Sequence, residues 1–301
     1  MASSASAPAS TALPTAQLQA LRRAVLGFGR SSLRDLPWRA TRDPWAVLVS
    51  ELMLQQTQAS RVVAPYRAFL ERFPTAAACA GAPLGDVLRA WAGLGYNRRA
   101  SNLHAAARAM VTRHGGVVPD SLPELLALPG IGPYTARAVL AFAYERDVAV
   151  VDVNVGRVLA RAVAGRRLAP AERQGLADTV LPAGCAWEWN QAVLEIGAVC
   201  CTARSPRCRE CPLGRTCRWA REGRAAPDPA APGSRQSRFA GSDRQGRGRL
   251  VDALRRGPVG PSELAAACGW LGDRERAERI AAGLVGEGLV RRGPGGVLRL
   301  P

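Results

Sequence analysis

The chain has 301 residues, enough for one large domain and a small one, and 48% of them are hydrophobic, which supports a buried core. A net charge of +17 and a pI near 11.1 point to an anionic partner, and no apolar run reaches the roughly 18 residues of a membrane span, so nucleic acid is favoured over membrane. All 41 basic residues are arginine, so Schiff-base chemistry through a lysine side chain is excluded.

Residues 1–15 are Ala/Ser/Pro/Thr-rich and too poor in large apolar side chains to fold, which predicts a disordered tail. From Thr15 the spacing of Leu18, Leu21, Val25 and Phe28 is helical, until Leu36-Pro37-Trp38-Arg39 and Asp43-Pro44-Trp45 break it. The stretch from Trp45 to Gln58 is rich in helix formers and carries one acid, Glu51, among Val47, Leu48, Val49, Leu52 and Leu54. An acid so surrounded is expected to be buried, and burial raises a carboxyl pKa towards the range useful for proton donation at neutral pH. Further helices are expected at 60–73, 84–90, 98–114 and 123–128, with short Gly/Pro connections and no period-2 strand pattern. Between them, Trp91-Ala-Gly-Leu-Gly-Tyr96 is a loop that either pushes Leu94 or Tyr96 into a base stack or packs them into the core. His104 and His114 have no partner at ligand spacing and read as structural or surface residues.

The chain is organised around Leu128-Pro-Gly-Ile-Gly-Pro-Tyr134, a helical run, and Val151-Asp-Val-Asn-Val155. Gly130 and Gly132 are expected to take φ > 0 and let a phosphate approach the backbone, and Pro133 suits the first turn of the following helix. Bare amides at the start of that helix, expected over 134–144, form an anion site that holds a phosphodiester without reading its sequence. The helix then leads towards Asp152.

Helices follow at 155–164, 170–180 and 189–199. Four of the eight cysteines then crowd into Cys201-x6-Cys208-x2-Cys211-x5-Cys217, enough thiolates in one short loop to close a metal site. Zinc loops usually bring two Cys-x2-Cys pairs and only one is present, so the spacing leans to a 4Fe–4S cluster. With no secretory signal pattern, an intracellular metalloprotein is expected, not a disulfide scaffold. Residues 221–238 read as a Pro/Ala/Arg-rich linker. Over 239–301, a segment 239–256 that turns helical after Ser242-Asp243, helices at 261–268 and 274–287, and two short strands about Gly293-Pro-Gly-Gly296 predict a small winged-helix-like α+β domain.

Pro37-Trp38-Arg39, Ser50-Glu-Leu-Met-Leu-Gln-Gln-Thr-Gln58, Leu128-Pro-Gly-Ile-Gly132 and the cysteine quartet together resemble the helix-hairpin-helix DNA glycosylases with an iron–sulfur cluster, most closely the adenine-specific (MutY-type) branch. The resemblance covers 16–220, with the cluster loop at 201–217. It implies a mainly α, two-lobed fold with the active site between the lobes. It also implies a monofunctional base-excision enzyme, monomeric and cytoplasmic with the nucleoid, acting on double-stranded DNA that carries adenine opposite 8-oxoguanine or guanine. Carried over position by position, it makes Glu51 the general acid and Asp152 the support of the sugar cation. Asn154 then stands beside Asp152, and Tyr134 lies near the sugar. Trp38, Arg39 and Glu195 fall in the adenine pocket, Gln56, Leu94 and Tyr96 on duplex-wedging positions, and Gly130 and Gly132 on the phosphate-binding hairpin. Cys201, Cys208, Cys211 and Cys217 become the cluster ligands. Three departures stand out: Val153 for a common Gly, Asn97 for a frequent second Tyr, and the added thiol of Cys200.

Two alternatives share the hairpin and cluster. An endonuclease III-like lyase acting on damaged pyrimidines needs a lysine where Tyr134 stands, and a non-enzymatic iron–sulfur DNA-binding regulator needs no buried carboxylates. The resembling family usually carries a larger Nudix-like domain, which about 60 residues cannot hold. The small C-terminal domain is therefore expected to add arginine–phosphate contacts, leaving lesion recognition to Gln56, Leu94 and Tyr96.

Overall fold

The computed structural model describes residues 13–224, 228–230 and 238–301. Most of the expected tail and the greater part of the expected linker lie outside them. The described residues are mainly helical with one two-stranded antiparallel sheet. The chain divides into two compact units, one formed by 1–35 with 140–235 and the other by 36–139 with 236–301. No described helix is long and apolar enough to cross a membrane.

In the first unit, the helix Thr15–Ser32 turns Leu21 and Val25 into a core shared with Val155, Val158, Val163, Trp189 and Ile196. Arg22 donates to the carbonyls of Val180 and Leu181, each at 2.9 Å, and so satisfies acceptors that the end of the Pro170–Val180 helix leaves without intrahelical partners. The helix expected over 155–164 begins earlier, at Val153, and changes character on the way. Val153–Val158 is α-helical, Leu159–Ala164 is a π-helical turn, and Gly165 ends it at φ 65°. The widened turn carries the buried Arg161.

In the second unit, the helix Pro44–Leu54 is buried from Trp45 to Met53, with the Asp43 carboxylate capping the amides of Trp45 and Ala46. The sequence predicts that this helix continues to Gln58. It stops at Leu54 because Gln56 takes φ 55° and because the Arg99 guanidinium accepts the task of satisfying the carbonyls of Leu52, Met53 and Gln55. Ala76–Gly81, not foreseen from periodicity, is a short helix capped by Thr75. Leu84–Ala90 and Arg98–His114 lie where expected. Phe69 packs against Phe73 and, edge-on, Trp91, with ring centroids at 5.0 and 5.9 Å.

Residues 238–301 belong to this second unit. Their first helix is Asp243–Arg256, where the Ser242 hydroxyl accepts from the Gln245 amide and fixes the start at the Ser242-Asp243 pair that the sequence marks. Leu264–Cys268 and Arg274–Gly286 follow, and the strands Arg291–Arg292 and Leu298–Arg299 pair about glycines 295 and 296, both at positive φ.

The hairpin comprises Leu122–Leu126, a turn, and Pro133–Phe142. Of its two glycines, Gly130 alone takes positive φ, 74°, and a Cβ there would lie 2.4 Å from Asn102; at Gly132 a Cβ would meet nothing within 4 Å. The expectation of φ > 0 at both is corrected: the turn needs one left-handed residue, and the second glycine precedes a proline in ordinary backbone. Gly130→Ala is expected to cost about 1–2 kcal/mol, and Gly132→Ala within about 0.5 kcal/mol; urea denaturation of the two variants measures the contrast.

Candidate active-site residues and the cysteine cavity

Asp152 is delivered by an extended segment fastened on both sides. The Asn190 side chain accepts from the Val150 amide at 2.8 Å and donates to the Val148 carbonyl at 2.9 Å, while Gln174 donates to the Ala149 carbonyl at 3.1 Å. Asp152 then caps the Val153–Val158 helix. Its Oδ1 accepts from the amides of Asn154 and Val155 at 2.8 and 2.7 Å, and its Oδ2 accepts from the Asn154 side-chain amide at 2.7 Å. Burial raises the Asp152 pKa, and these three bonds with the nearby Arg157 charge pull it back. Asn154 is itself oriented by Arg157, which donates to Asn154 Oδ1 and the Gly197 carbonyl, both at 2.7 Å, and to the Cys201 carbonyl at 2.5 Å. Gly197 is required there: a Cβ would lie 2.7 Å from Asn154 Cβ and 3.0 Å from its backbone carbonyl. Val153, the departure from the family pattern, has an exposed side chain, and its carbonyl accepts from Arg157 at 3.5 Å.

Glu195, on the helix Ala186–Val199, is almost fully buried and forms a two-pronged pair with Arg34, whose Nε and Nη2 reach Oε1 and Oε2.

Four thiols expected as metal ligands, those of Cys201, Cys208, Cys211 and Cys217, line one cavity in this same unit, with Cys200, Leu213 and Trp219. None forms a disulfide. Among the described residues no three His, Cys, Asp or Glu side chains converge as a single metal ion would need. Burial pushes the Cys211 thiol up to about 12, and negative charge at Cys200, Cys201 and Cys217 adds to the rise, against a Leu213 amide. Cys217 rises for the same first reason, with Cys201 and Cys208 contributing. A donor set whose members destabilise one another's thiolates fits a positively charged group. Arg161 closes one wall, donating to the carbonyls of Thr202 and Ala203 at 2.7 and 3.1 Å and pairing with Asp228, and its guanidinium stacks 5.0 Å from the Trp219 ring.

The second unit holds the other predicted residues. Glu51 is buried at 5% exposure in a helix that is apolar on every side. Trp38 is buried edge-on against Tyr66 at 5.6 Å, and Arg39 and Tyr134 are half-buried. Gln56 and Tyr96 are exposed, and both adopt positive φ, 55° and 44°, strained for residues with a Cβ. Leu94 is the exception: it is 3% exposed against 45% for Tyr96, so the loop turns Leu94 inward and presents the tyrosine. His104 is a core residue whose Nε2 lies 3.0 Å from the Ala82 carbonyl.

Residues 49–175 match the model of the HhH-GPD superfamily of base excision DNA repair proteins. Adenine DNA glycosylases of Mycobacterium tuberculosis and Mycolicibacterium smegmatis are each 46% identical, over 92% and 89% of this chain and 92% of their own length. The chain belongs to the adenine DNA glycosylases of the HhH-GPD superfamily. The human adenine DNA glycosylase is 38% identical over 67% of the chain and 40% of its own length. Among solved structures, a thermostable thymine-DNA glycosylase shares 30% identity at a TM-score of 0.66, with 69% of this chain covering 98% of that one. An endonuclease III trapped on DNA, at 23% identity and a TM-score of 0.62, shares the fold.

This adenine-specific DNA N-glycosylase thus carries its two candidate carboxylates in contrasting settings, Glu51 in apolar surroundings and Asp152 in a cage of donors. Sequence reading missed the arginines that fix the predicted residues and the cysteine cavity: Arg34 at Glu195, Arg99 at the end of the Glu51 helix, Arg157 at Asn154 and Arg161 beside the thiols. Each is one of 41 basic residues, and only Arg157, one helical turn beyond Asn154, had a spacing that could have marked it. Gly197→Ala is expected to displace Asn154 and lower base excision by about a hundredfold with little change in duplex affinity, measured by single-turnover kinetics beside a binding titration.

Proposed function

We propose that the glycosylase removes adenine paired with 8-oxoguanine or guanine in double-stranded DNA, leaving an abasic site. The contrast between the two carboxylates carries the reading. The target adenine is flipped from the stack, at a cost of a few kcal/mol. Glu51 donates its proton to adenine N7 as the N9–C1′ bond breaks. Asp152, as an anion, stabilises the cationic sugar, and the Glu51 carboxylate then takes a proton from the water that attacks C1′. Asn154 holds Asp152 in place and Tyr134 lies at the sugar. Trp38, Arg39 and Glu195 shape the adenine pocket, with Arg34 fixing Glu195. The Gly130 turn holds a backbone phosphate, and Gln56 and Tyr96 enter the duplex as wedges. The enzyme works as a monomer on chromosomal DNA. It is monofunctional, because Tyr134 occupies the position of the lyase lysine and the chain has no lysine.

Glycosylases of this superfamily that resemble endonuclease III are generally iron–sulfur proteins. We assign the 4Fe–4S site of this chain to Cys201, Cys208, Cys211 and Cys217. Four thiols that line one cavity without converging on a point suit a cluster, which offers each thiolate its own iron. Bound there, these four thiolates would hold the 201–217 loop together and have their charge neutralised by the cluster. It takes no part in the proton transfers.

Glu51→Gln and Asp152→Asn are each expected to keep duplex binding and lower excision at least about a hundredfold, and near-normal excision by either would overturn the assignment. The raised Asp152 pKa sets a sign as well. Its anion is lost as pH falls through a value above the ordinary carboxylate range, so excision should decline on the acidic side there, and the residual activity of Asp152→Asn should lack that limb. Metal and sulfide analysis of the purified protein should find about four of each per chain; zinc without iron would overturn the cluster.

A further inference from the structure

The loop at 91–97 that presents Tyr96 is held almost entirely through its backbone. Arg61 takes the Gly93 carbonyl at 2.7 Å, and Arg99 takes those of Leu94 and Gly95, both at 3.1 Å, while its own amide takes that of Tyr96 at 2.9 Å. The side chain of Asn97 is the departure. It stands at the N-cap of Arg98–His114, where an asparagine oxygen ordinarily accepts from its own helix, and it makes no such cap. Its Oδ1 instead accepts from Arg255 Nη2 at 2.7 Å.

Arg255 comes from the last turn of Asp243–Arg256, 158 residues beyond Asn97 in the chain, and its side chain is only 10% exposed. Its Nε donates to the Leu88 carbonyl at 2.9 Å and its Nη1 pairs with Asp252. One guanidinium therefore joins both stems of the loop, Leu88 in the last turn of the helix before it and Asn97 at the start of the helix after it. The other end of that first helix is tied by the same C-terminal residues, because the Gly85 amide donates to the Pro301 carbonyl at 3.0 Å, an approach that a Cβ on Gly85 would close off at 2.5 Å. A charge taken this far out of water persists only where fixed partners repay its lost hydration. A rigid stem is also what a wedge requires, since any slack is lost from the force that opens the stack.

We propose that Arg255 is a positioning residue, through which the C-terminal residues clamp the stems of the Tyr96 loop and hold the tyrosine poised for insertion beside the lesion. This goes beyond the phosphate-contact role expected from composition, and it rests on the wedge role proposed for Tyr96.

The full-length enzyme tests it, as wild type, Arg255→Ala, Arg255→Gln, Asn97→Ala, Arg255→Ala/Asn97→Ala and Tyr96→Ala, on a duplex with adenine opposite 8-oxoguanine and on one reporting unstacking through 2-aminopurine. Arg255→Ala and Asn97→Ala should each lower the saturating single-turnover rate roughly tenfold, the scale of one charge-assisted hydrogen bond, and blunt the fluorescence rise. The double variant should be no worse than Arg255→Ala alone. Binding to undamaged duplex and its salt slope should stay at wild type, because a side chain spent on Leu88 and Asn97 neutralises no phosphate. Additive losses, a salt slope reduced by about one, or a wild-type rate and fluorescence in both Arg255 variants would overturn the proposal. If Arg255→Ala is too unstable to assay, Arg255→Gln and Asn97→Ala decide by the same readouts. A Tyr96→Ala enzyme with wild-type rate and fluorescence would remove the wedge reading itself, and the clamp with it; a slow Tyr96→Ala beside normal Arg255 variants would remove the clamp alone.

Discussion

A buried guanidinium, that of Arg99, ends one helix and begins another. It collects the carbonyls of Leu52, Met53 and Gln55 as the Glu51 helix runs out, and those of Leu94 and Gly95 on the neighbouring loop. These acceptors would otherwise be stranded away from water, each costing more than a made bond returns. Burial draws the Arg99 pKa down to about 10, which leaves it charged at neutral pH, and the Trp91 and Tyr96 rings lie 5.5 Å from it. The positive φ values of Gln56 and Tyr96 are the geometric consequence. Both chains must turn sharply to offer several carbonyls to one planar donor, and the turn that does so leaves each side chain exposed.

Asp152 illustrates the same economy in the other unit. A carboxylate buried without donors would simply stay protonated. Three hydrogen bonds and Arg157 oppose the upward shift, and Arg157 extends the network to the Cys201 carbonyl, so the acid, Asn154 and the cysteine loop share one rigid set of contacts. Gly197 allows the closeness. Losing the order of the thiol loop would therefore be felt at Asp152 through Arg157, with no direct contact needed.

Arginine carries these tasks where lysine could not. A planar fork with five donors bridges carbonyls on separate segments and stays ionised when buried, whereas an ammonium offers a point charge that burial tends to neutralise. The large positive charge thus serves two ends, an exposed field for an anionic partner and a small number of buried staples that shape the site.

The sequence alone determined the helical class, the hairpin with Gly130, the acid within an apolar helix, the Asp152 position and the cysteine quartet, because each rests on local spacing that any fold must respect. It located Arg98–His114 and Pro170–Val180, whose periodicity is strong. It carried the Glu51 helix too far, since that boundary is set by hydrogen bonds to the side chain of Arg99, distant in sequence, whereas the start of Asp243–Arg256 is set by the local Ser242 cap and was legible. It left Leu94 and Tyr96 as equal candidates, and only packing turned one inward and the other out. The roles of Arg34, Arg99, Arg161 and Arg255 were illegible for the same reason. Which arginine among 41 is buried depends on which carbonyls the folded chain strands nearby, and that is a property of tertiary contact, not of neighbours in sequence.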